Sequence, residues 1–405
     1  MRFPCVDGDE HVKRCWHRHR LTAYGVWSRI ERQSHPPGSA FVMDDAAAQA
    51  PPMMPPAPTR HDSSGSPVSP RSAVPDVAVF SAKAYDRQFL DAANGDGICR
   101  LHYFEAALDA DTVGLAAGHA VVCVFVNDVA DAGVLTTLAQ GGTRLLALRC
   151  TGFNNVDLAA ARAVGIRVVR VSTYSPYSVA EHAVALLLAL VRRIPRAWYR
   201  TRDGNFTLDG LLGFDLHGRT VAVVGTGRIG LAFARIMHGF GCTVLGHDSY
   251  EIPEFTALGG RYVDLDEALA QADVVSLHCP LTPQTHHLVD ARRLAACKPG
   301  LILVNSSRGG LVDTAAVIAA LKSGQLGGVA IDVYEQEADV FYRDWSTDIM
   351  TDDLLERLLS FHNVIVTGHQ AFFTHEAMTT ISRTTIDSIG QFARGEPLHE
   401  ELAVD

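Results

Sequence analysis

Residues 220–248 constrain what this chain can fold into more than any other stretch. Thr220-Val-Ala-Val-Val224 is an apolar run rich in β-branched residues. Gly225-Thr-Gly227-Arg-Ile-Gly230 follows it without a gap, a helical pattern comes next, and Asp248 ends the following apolar segment. A G-x-G-x-x-G string alone is weak. Between a strand and a helix, with an acid about 20 residues on, it specifies a strand–turn–helix–strand unit built to hold a dinucleotide. Each position has a physical task. Gly225 permits the tight turn, Gly227 lets the backbone approach a pyrophosphate, and Gly230 lets the helix pack close to the strand. The helix N-terminus presents the free N–H groups of Arg228 and Ile229 and the positive end of its dipole, with the Arg228 side chain as further charge. Asp248 is placed to accept from the adenosine ribose hydroxyls, and a carboxylate there repels a 2′-phosphate. Ser249 and Tyr250 follow it with no arginine, which favours NAD over NADP.

The rest of the chain reads in the same grammar. Strands are expected at Thr220–Val224, Thr243–Gly246, Val274–Leu277, Leu301–Asn305, Gly328–Asp332 and Val364–Thr367, with helices between them. An earlier series has strands at Val77–Phe80, Ala120–Val126, Leu145–Leu148 and Arg167–Val171. Strands alternating with helices imply parallel sheets covered on both faces. The expected fold is therefore α/β, with two Rossmann-like or flavodoxin-like doubly wound domains flanking a cleft. Residues 76–175 and 371–405 would form the substrate-binding domain, and residues 176–370 the NAD-binding domain. A closing helix, about Glu376–Phe392, would return to the first domain. Ser178–Arg193 reads as one long helix, apolar nearly all round, hence buried against the protein or a second subunit. The first 75 residues differ: they hold 11 of the 18 prolines and a Ser-rich stretch near Ser63–Ser69. Such a segment buries too little apolar surface to offset its ordering entropy, so it is expected to be a disordered extension. Its basic cluster His17-Arg18-His19-Arg20 reads as a solvated arm.

Composition narrows the partners. A net charge of −10 argues against general nucleic-acid binding, which needs a surplus of Lys and Arg. The longest apolar run, Ala183–Val191, is about half a membrane span, and the N-terminus has no apolar core and small-residue cleavage pattern. The eight cysteines form no C-x-x-C pair, as expected for reduced, mostly buried thiols in a cytoplasmic protein.

Three polar residues stand at the C-terminal ends of late strands, the edge where open α/β sheets bind ligands. Arg308 ends Leu301-Ile-Leu-Val-Asn-Ser-Ser-Arg308, Glu337 follows Ile331-Asp-Val-Tyr-Glu-Gln-Glu337, and His369 ends Val364-Ile-Val-Thr-Gly-His369. An Arg, a Glu and a His converging there suggest holding a carboxylate and moving a proton on the oxygen of the adjacent carbon. No cluster of His with further acids suggests a metal, so none is expected. No G-x-S-x-G elbow supports a serine nucleophile. His182, His286, His287 and His375 are weaker candidates, His182 reading as a satisfied interface residue.

These segments resemble the D-isomer-specific 2-hydroxyacid dehydrogenases, whose pattern is a dinucleotide fingerprint, then N-x-S-R-G, D-x-Y-E-x-E and a catalytic His. All four occur here in order, and the resemblance spans about Val77 to the C-terminus. Ser81–Asp86, Cys150–Asp157, Ser172–Pro176, the Phe341–Asp353 insert and Gly368–Phe373 resemble its bacterial fermentative D-lactate dehydrogenase branch. The resemblance implies that Arg308 binds the substrate carboxylate, His369 is the general acid and base, and Glu337 accepts from the other ring nitrogen of His369. It implies that Asp332 faces the nicotinamide carboxamide, and that His278, Cys279 and Pro280 line the adenine and ribose side. The backbone of Thr151, Gly152 and Phe153 would meet the carboxylate, and Tyr174 and Phe373 would bound a methyl-sized pocket. The implied reaction is reduction of pyruvate to D-lactate by NADH. A larger 2-keto acid such as phenylpyruvate or hydroxypyruvate stays open, as does an NAD-sensing corepressor role. The Ser178–Arg193 helix and the resemblance point to a homodimer, with a tetramer open.

Overall fold

The computed structural model describes residues 74–337 and 340–402. Except for Val74 and Pro75, the stretch expected to be disordered, including His17–Arg20, lies outside the described residues, as do Cys5 and Cys15.

The first lobe is a five-stranded parallel sheet of β1 (Asp76–Val79), β2 (Arg100–Tyr103), β3 (Val121–Val124), β4 (Leu145–Leu148) and β5 (Arg167–Arg170), in the order β2-β1-β3-β4-β5. The second is a seven-stranded parallel sheet. It comprises β6 (Thr220–Val224), β7 (Thr243–His247), β8 (Arg261–Tyr262), β9 (Val274–Leu277), β10 (Leu301–Asn305), β11 (Leu326–Ile331) and β12 (Val364–Val366). Its order is β12-β11-β10-β9-β6-β7-β8. Both sheets start in the middle and wind outward in two directions, leaving a crevice at the carboxyl ends where the direction reverses. In the second lobe that reversal falls between β6 and β9, directly beyond Val224 and Leu277.

The central strands are nearly continuous runs of Val, Leu, Ile and Ala, broken only by Cys123, Ser276 and Asn305, because helices cover both faces. Val121–Val124, Leu145–Leu148, Val274–Leu277 and Leu301–Asn305 are buried at every position. Each fully buried Val or Leu contributes about 1.5–3 kcal/mol relative to exposure. Two strands absent from the expected set are the edges β2 and β8. Arg-Leu-His-Tyr alternates exposed and half-buried, and Arg261–Tyr262 is two residues long, so neither carries an apolar run.

The apolar helix spans Pro176–Val191, with Ser175 capping it and Pro176 in its first turn. Ala183, Val184, Leu187, Leu190 and Val191 pack with Val221, Val223, Ile302, Val304 and Ala330 of the second sheet. Its burial is thus satisfied within the chain. The expected helix continued to Arg193, but Arg193 turns into the left-handed region (φ 55°) and starts a second helix, Ile194–Arg202. That helix and the loop after it leave Trp198, Tyr199, Phe206, Leu208 and Leu212 exposed. The closing helix, His375–Ala393, does return to the first lobe, where Ile386 and Ile389 pack with Val77, Val79, Val121 and Leu145. The two inter-lobe crossovers touch where the Ser178 and Thr374 hydroxyls lie 2.7 Å apart. All six described cysteines are free, five of them buried. No helix among the described residues is long and apolar enough to cross a membrane.

Candidate active site

A cavity of about 520 Å³ opens at the carboxyl ends of both sheets. From the first lobe and the crossover it takes Phe125, Arg149, Cys150, Thr151, Gly152, Thr173 and Tyr174. From the second it takes Gly227, Arg228, Ile229, His278, Ser306, Ser307, Arg308, Tyr342 and His369, with Phe372 just beyond.

Arg308 and His369 leave different strand ends and meet on this wall. The Arg308 guanidinium donates to the Ser307 carbonyl (2.7 Å), which leaves other donors of its fork facing Gly152. A Cβ on Gly152 would stand 2.6 Å from Arg308 Nη2, so the glycine makes room for the guanidinium. The Thr151 hydroxyl donates to Val171 O (2.8 Å) and the Thr151 carbonyl accepts from Arg170 (3.0 Å), which fixes this turn.

The His369 imidazole lies 3.0 Å from Glu337 Oε1 through Nδ1, with side-chain exposures of 17% and 25%. Glu337 Oε2 accepts from Tyr334 N (3.0 Å), so the carboxylate is itself oriented. Nδ1 thus faces the carboxylate and Nε2 is left for the cavity. The His369 backbone is left-handed (φ 51°), an uncommon conformation for a non-glycine residue, and its N–H donates to Asp332 O (2.7 Å).

Asp332 departs from expectation. Its side chain is completely buried and is not on the cavity wall. Oδ1 accepts from Thr367 Oγ1 (2.5 Å) and Gln370 N (2.9 Å), Oδ2 accepts from Ala371 N (2.8 Å), and His182 Nε2 lies 3.3 Å from Oδ1. Burial, the largest single effect, raises its carboxyl, but the hydrogen bonds from His182, Thr367, Gln370 and Ala371 together outweigh it and hold the group below the usual range. Asp332 shapes the loop that carries His369 instead of presenting a free carboxylate to the cavity. His182 is satisfied by Asp332 and Thr367, within the chain.

The glycine turn leaves no room for a side chain at two of its three glycines. Gly225 has φ 92°, and a Cβ there would stand 2.5 Å from Cys279 N. A Cβ on Gly230 would stand 1.9 Å from Gly225 O. Gly227, the N-cap of the helix Arg228–Gly239, has open space where its Cβ would project. Asp248 Oδ2 accepts from Thr226 N (2.6 Å) and Oδ1 from Tyr250 N (3.3 Å), beside the turn and off the cavity wall. The Cys279 carbonyl accepts from Ser307 Oγ (2.6 Å) and the Pro280 carbonyl from Thr285 Oγ1 (2.7 Å). The Arg228 guanidinium donates to Thr173 Oγ1 on the crossover.

Two lobes, a glycine turn and an Arg/His–Glu wall invite comparison with known proteins. A family model described as "D-isomer specific 2-hydroxyacid dehydrogenase, NAD binding domain" matches residues 184–371. A protein of Aspergillus oryzae described as 2-hydroxyacid dehydrogenase A is 53% identical over 319 residues, 78% of this chain and 92% of its own. The chain belongs to the D-isomer specific 2-hydroxyacid dehydrogenase family. It is also 46% identical to the D-lactate dehydrogenase of Escherichia coli, over 80% of this chain and 99% of that one. Among solved structures, one of the pyruvate reductase of Chlamydomonas reinhardtii superposes with a TM-score of 0.77 at 44% identity, covering 81% of this chain and 99% of that one.

As a member of that family the protein is an NAD-dependent oxidoreductase of D-2-hydroxy acids. Its residues fit the cofactor. Besides the open cradle over Gly227, two buried polar atoms, His278 Nδ1 and Ser306 Oγ, have no hydrogen-bond partner among the described residues, and both residues line the cavity. Burial pushes the His278 imidazole down to about 3, so it stays neutral, and with Nε2 paired to the Ser276 hydroxyl (2.9 Å) its Nδ1 is left for a polar group of a ligand.

One further expectation needs correction. Phe373 is 46% exposed and packs edge-on against Tyr85 at 4.7 Å, and it is Phe372 that faces the cavity. Thr151 and Gly152 line the cavity, and the Phe153 ring lies under the Arg170 guanidinium at 5.0 Å. Tyr174 is there as expected, and burial pushes its phenol up to about 12. Sequence reasoning missed Phe125, Ser306, Phe372 and Tyr342. Ser306 sits in the Asn305–Arg308 string already singled out, so that string was the available signal. The buried Arg149 backs Phe125: its guanidinium carbon stands 5.0 Å from the ring centroid, and it donates to Asp86 (3.0 Å) and Ser81 O (3.1 Å).

One group of three possible metal ligands occurs among the described residues: His286, His287 and Glu335. His287 Nε2 and Glu335 Oε1 already pair at 2.6 Å, and the two imidazoles stack at 4.0 Å.

Proposed function

We propose that the protein reduces pyruvate to D-lactate with NADH, through Arg308, His369 and Glu337. One observation carries the reading: a guanidinium and a carboxylate-backed imidazole share one cavity wall with the glycine turn. Arg308, with the turn at Thr151 and Gly152, binds the substrate carboxylate in a fork geometry that lysine lacks. That anchoring leaves the 2-keto oxygen toward His369. His369 Nε2 donates its proton to this oxygen during reduction and takes it back during oxidation. Glu337 holds Nδ1–H, fixes the ring's orientation and stabilises the imidazolium. Gly225, Gly227, Gly230, the N–H groups of Arg228 and Ile229, Asp248, and the His278–Pro280 segment would hold NAD. The bound nicotinamide supplies the hydride that reduces C2. Phe125, Tyr174 and Phe372 line an apolar end suited to a small side chain. The similarity to D-lactate dehydrogenases supports pyruvate over a larger 2-keto acid. The retained Arg/His/Glu set supports catalysis over a corepressor role.

Residues 76–175 with 371–405 would act as the substrate-binding domain and 176–370 as the NAD-binding domain, in a cytoplasmic protein of fermentative metabolism. The exposed Trp198, Phe206, Leu208 and Leu212, on consecutive segments beyond the apolar helix, support a homodimer. The deciding experiment is a spectrophotometric panel of 2-keto acids with NADH and NADPH, with the product's chirality read by an enantioselective column. NADH-dependent conversion of pyruvate to D-lactate is expected. No turnover of any 2-keto acid, or an L-product, would overturn the assignment. Light scattering should return twice the chain mass.

A further inference from the structure

Tyr342 falls within the Phe341–Asp353 insert, where no residue has been given a role, and it lines the cavity. It lies in the segment after Glu337 that runs to the helix Asp353–Leu359. Three features single it out. Its ring packs against the hydrophobic cores of both lobes and meets the Phe125 ring edge-on at 5.3 Å. Its hydroxyl donates to the backbone carbonyl of His369 (3.2 Å), and its ring centroid is 6.1 Å from that of the imidazole. Its backbone is left-handed (φ 64°), a conformation a bulky residue rarely adopts unless its surroundings hold it there. His369, at the other end of the hydrogen bond, is left-handed too. Neighbouring contacts brace the segment. Trp345 Nε1 donates to Val340 O (2.9 Å), and the Tyr334 hydroxyl donates to Asp352 (2.9 Å).

We propose that Tyr342 is a specificity-determining and positioning residue: its ring closes the end of the pocket that receives the substrate's side chain, and its hydroxyl fixes the backbone of the catalytic histidine. The proposal rests on the reading of Arg308 and His369 given above. With the carboxylate at Arg308 and the keto oxygen at His369, the substituent on C2 must point at the remaining wall. Tyr342 and Phe125 belong to that wall. The ring therefore limits the length of the substituent. The hydroxyl acts separately. Glu337 holds the His369 ring, Asp332 O holds its N–H, and Tyr342 holds its carbonyl, so three contacts from second-lobe segments define where Nε2 stands. Burial and the nearby Glu337 charge push the phenol far above its ordinary value, so it remains a donor.

The two roles separate in two variants. Tyr342→Phe keeps the ring and removes only the hydroxyl. It should lower kcat about 2- to 10-fold, the range of one hydrogen bond, with KM for pyruvate and NADH unchanged and with selectivity unchanged. Tyr342→Ala opens the wall. Across pyruvate, 2-ketobutyrate, 2-ketovalerate and phenylpyruvate, it should raise kcat/KM for the longer acids relative to pyruvate by at least 10-fold, since each methylene in an apolar pocket is worth about 10- to 200-fold. Tyr342→Leu, which keeps an apolar side chain of intermediate size, should fall between wild type and alanine and covers the case of an alanine variant that does not fold. Selectivity within twofold of wild type in the folded alanine and leucine variants would overturn the pocket role. A phenylalanine variant with raised KM and unchanged kcat would overturn the positioning role. The wild-type panel is run first: if it turns over no 2-keto acid, the function reading fails, whereas an active wild type with indifferent Tyr342 variants removes this inference alone.

Discussion

Replacing Gly152 with alanine should cripple turnover while leaving the fold intact. The added Cβ would stand 2.6 Å from Arg308 Nη2 and 3.6 Å from its Cζ. Ordinary contact begins near 3.4 Å, so the guanidinium must retreat by at least 3.4 − 2.6 = 0.8 Å. Gly152 has no left-handed backbone requirement, and no other atom stands in the way of its Cβ. The side chain that must yield is half-buried and flexible, so folding stability should change by under about 1 kcal/mol. Function should not be so forgiving. A misplacement of about 1 Å in a group that orients the substrate is worth about 100-fold, or about 2.7 kcal/mol of transition-state stabilisation. The assay is NADH oxidation at saturating cofactor over a range of pyruvate concentrations, with thermal unfolding and NADH fluorescence titration as controls. Expected are a kcat/KM for pyruvate down about 100-fold, a melting temperature within a few degrees of wild type, and NADH affinity within twofold. A double-mutant cycle sharpens the test. If Gly152 acts only by making room for Arg308, the alanine should have little further effect in an Arg308→Ala background. A Gly152→Ala enzyme with wild-type kcat/KM, or full additivity with Arg308→Ala, would refute the reasoning.

Other outcomes follow from the same wall. Glu337→Gln keeps the size but removes the charge facing Nδ1; kcat should fall about 10- to 100-fold, the range of a hydrogen bond to a charged group, and steady-state rates that match wild type would count against its role. Phe372→Ala should change kcat/KM for pyruvate severalfold, whereas Phe373→Ala, on the exposed side, should stay within twofold; the reverse pattern in the same assay would reinstate Phe373. Burial pushes the Cys150 thiol up to about 12, so its thiolate is about one part in ten thousand at pH 8 and iodoacetamide should not inactivate the enzyme there. Inactivation should speed up about tenfold per pH unit above that, and rapid alkylation of Cys150 at pH 7, read by mass spectrometry, would contradict its buried, neutral state.

Much of this architecture is legible without coordinates, because it is written in short windows. The run Thr220–Val224, the glycines at 225, 227 and 230, and the burial of four-residue strands such as Leu145–Leu148 are set by local sterics and by apolar spacing. Arg308 and His369 could be picked out as site candidates from sequence for the same reason: each lies three residues past the end of an apolar strand, and strand ends define the ligand edge of such a sheet.

What tertiary structure alone decided is which of two adjacent, chemically similar side chains points where. Glu335 and Glu337 both leave the end of β11. Glu335 is taken by His287, 48 residues earlier, and by the Thr314 N–H, which leaves Glu337 for His369, 32 residues later. Phe372 and Phe373 are neighbours on an irregular loop whose turning is set by Asp332 accepting from Gln370 N and Ala371 N, so the ring that enters the cavity follows from a carboxylate some 40 residues away. Tyr342 reaches His369 only because two lobes fold against one ring. A strand's period names the face of every residue along it, but a loop has no period. There, side-chain direction is the outcome of contacts between segments far apart in the chain, and it exists only once they have met.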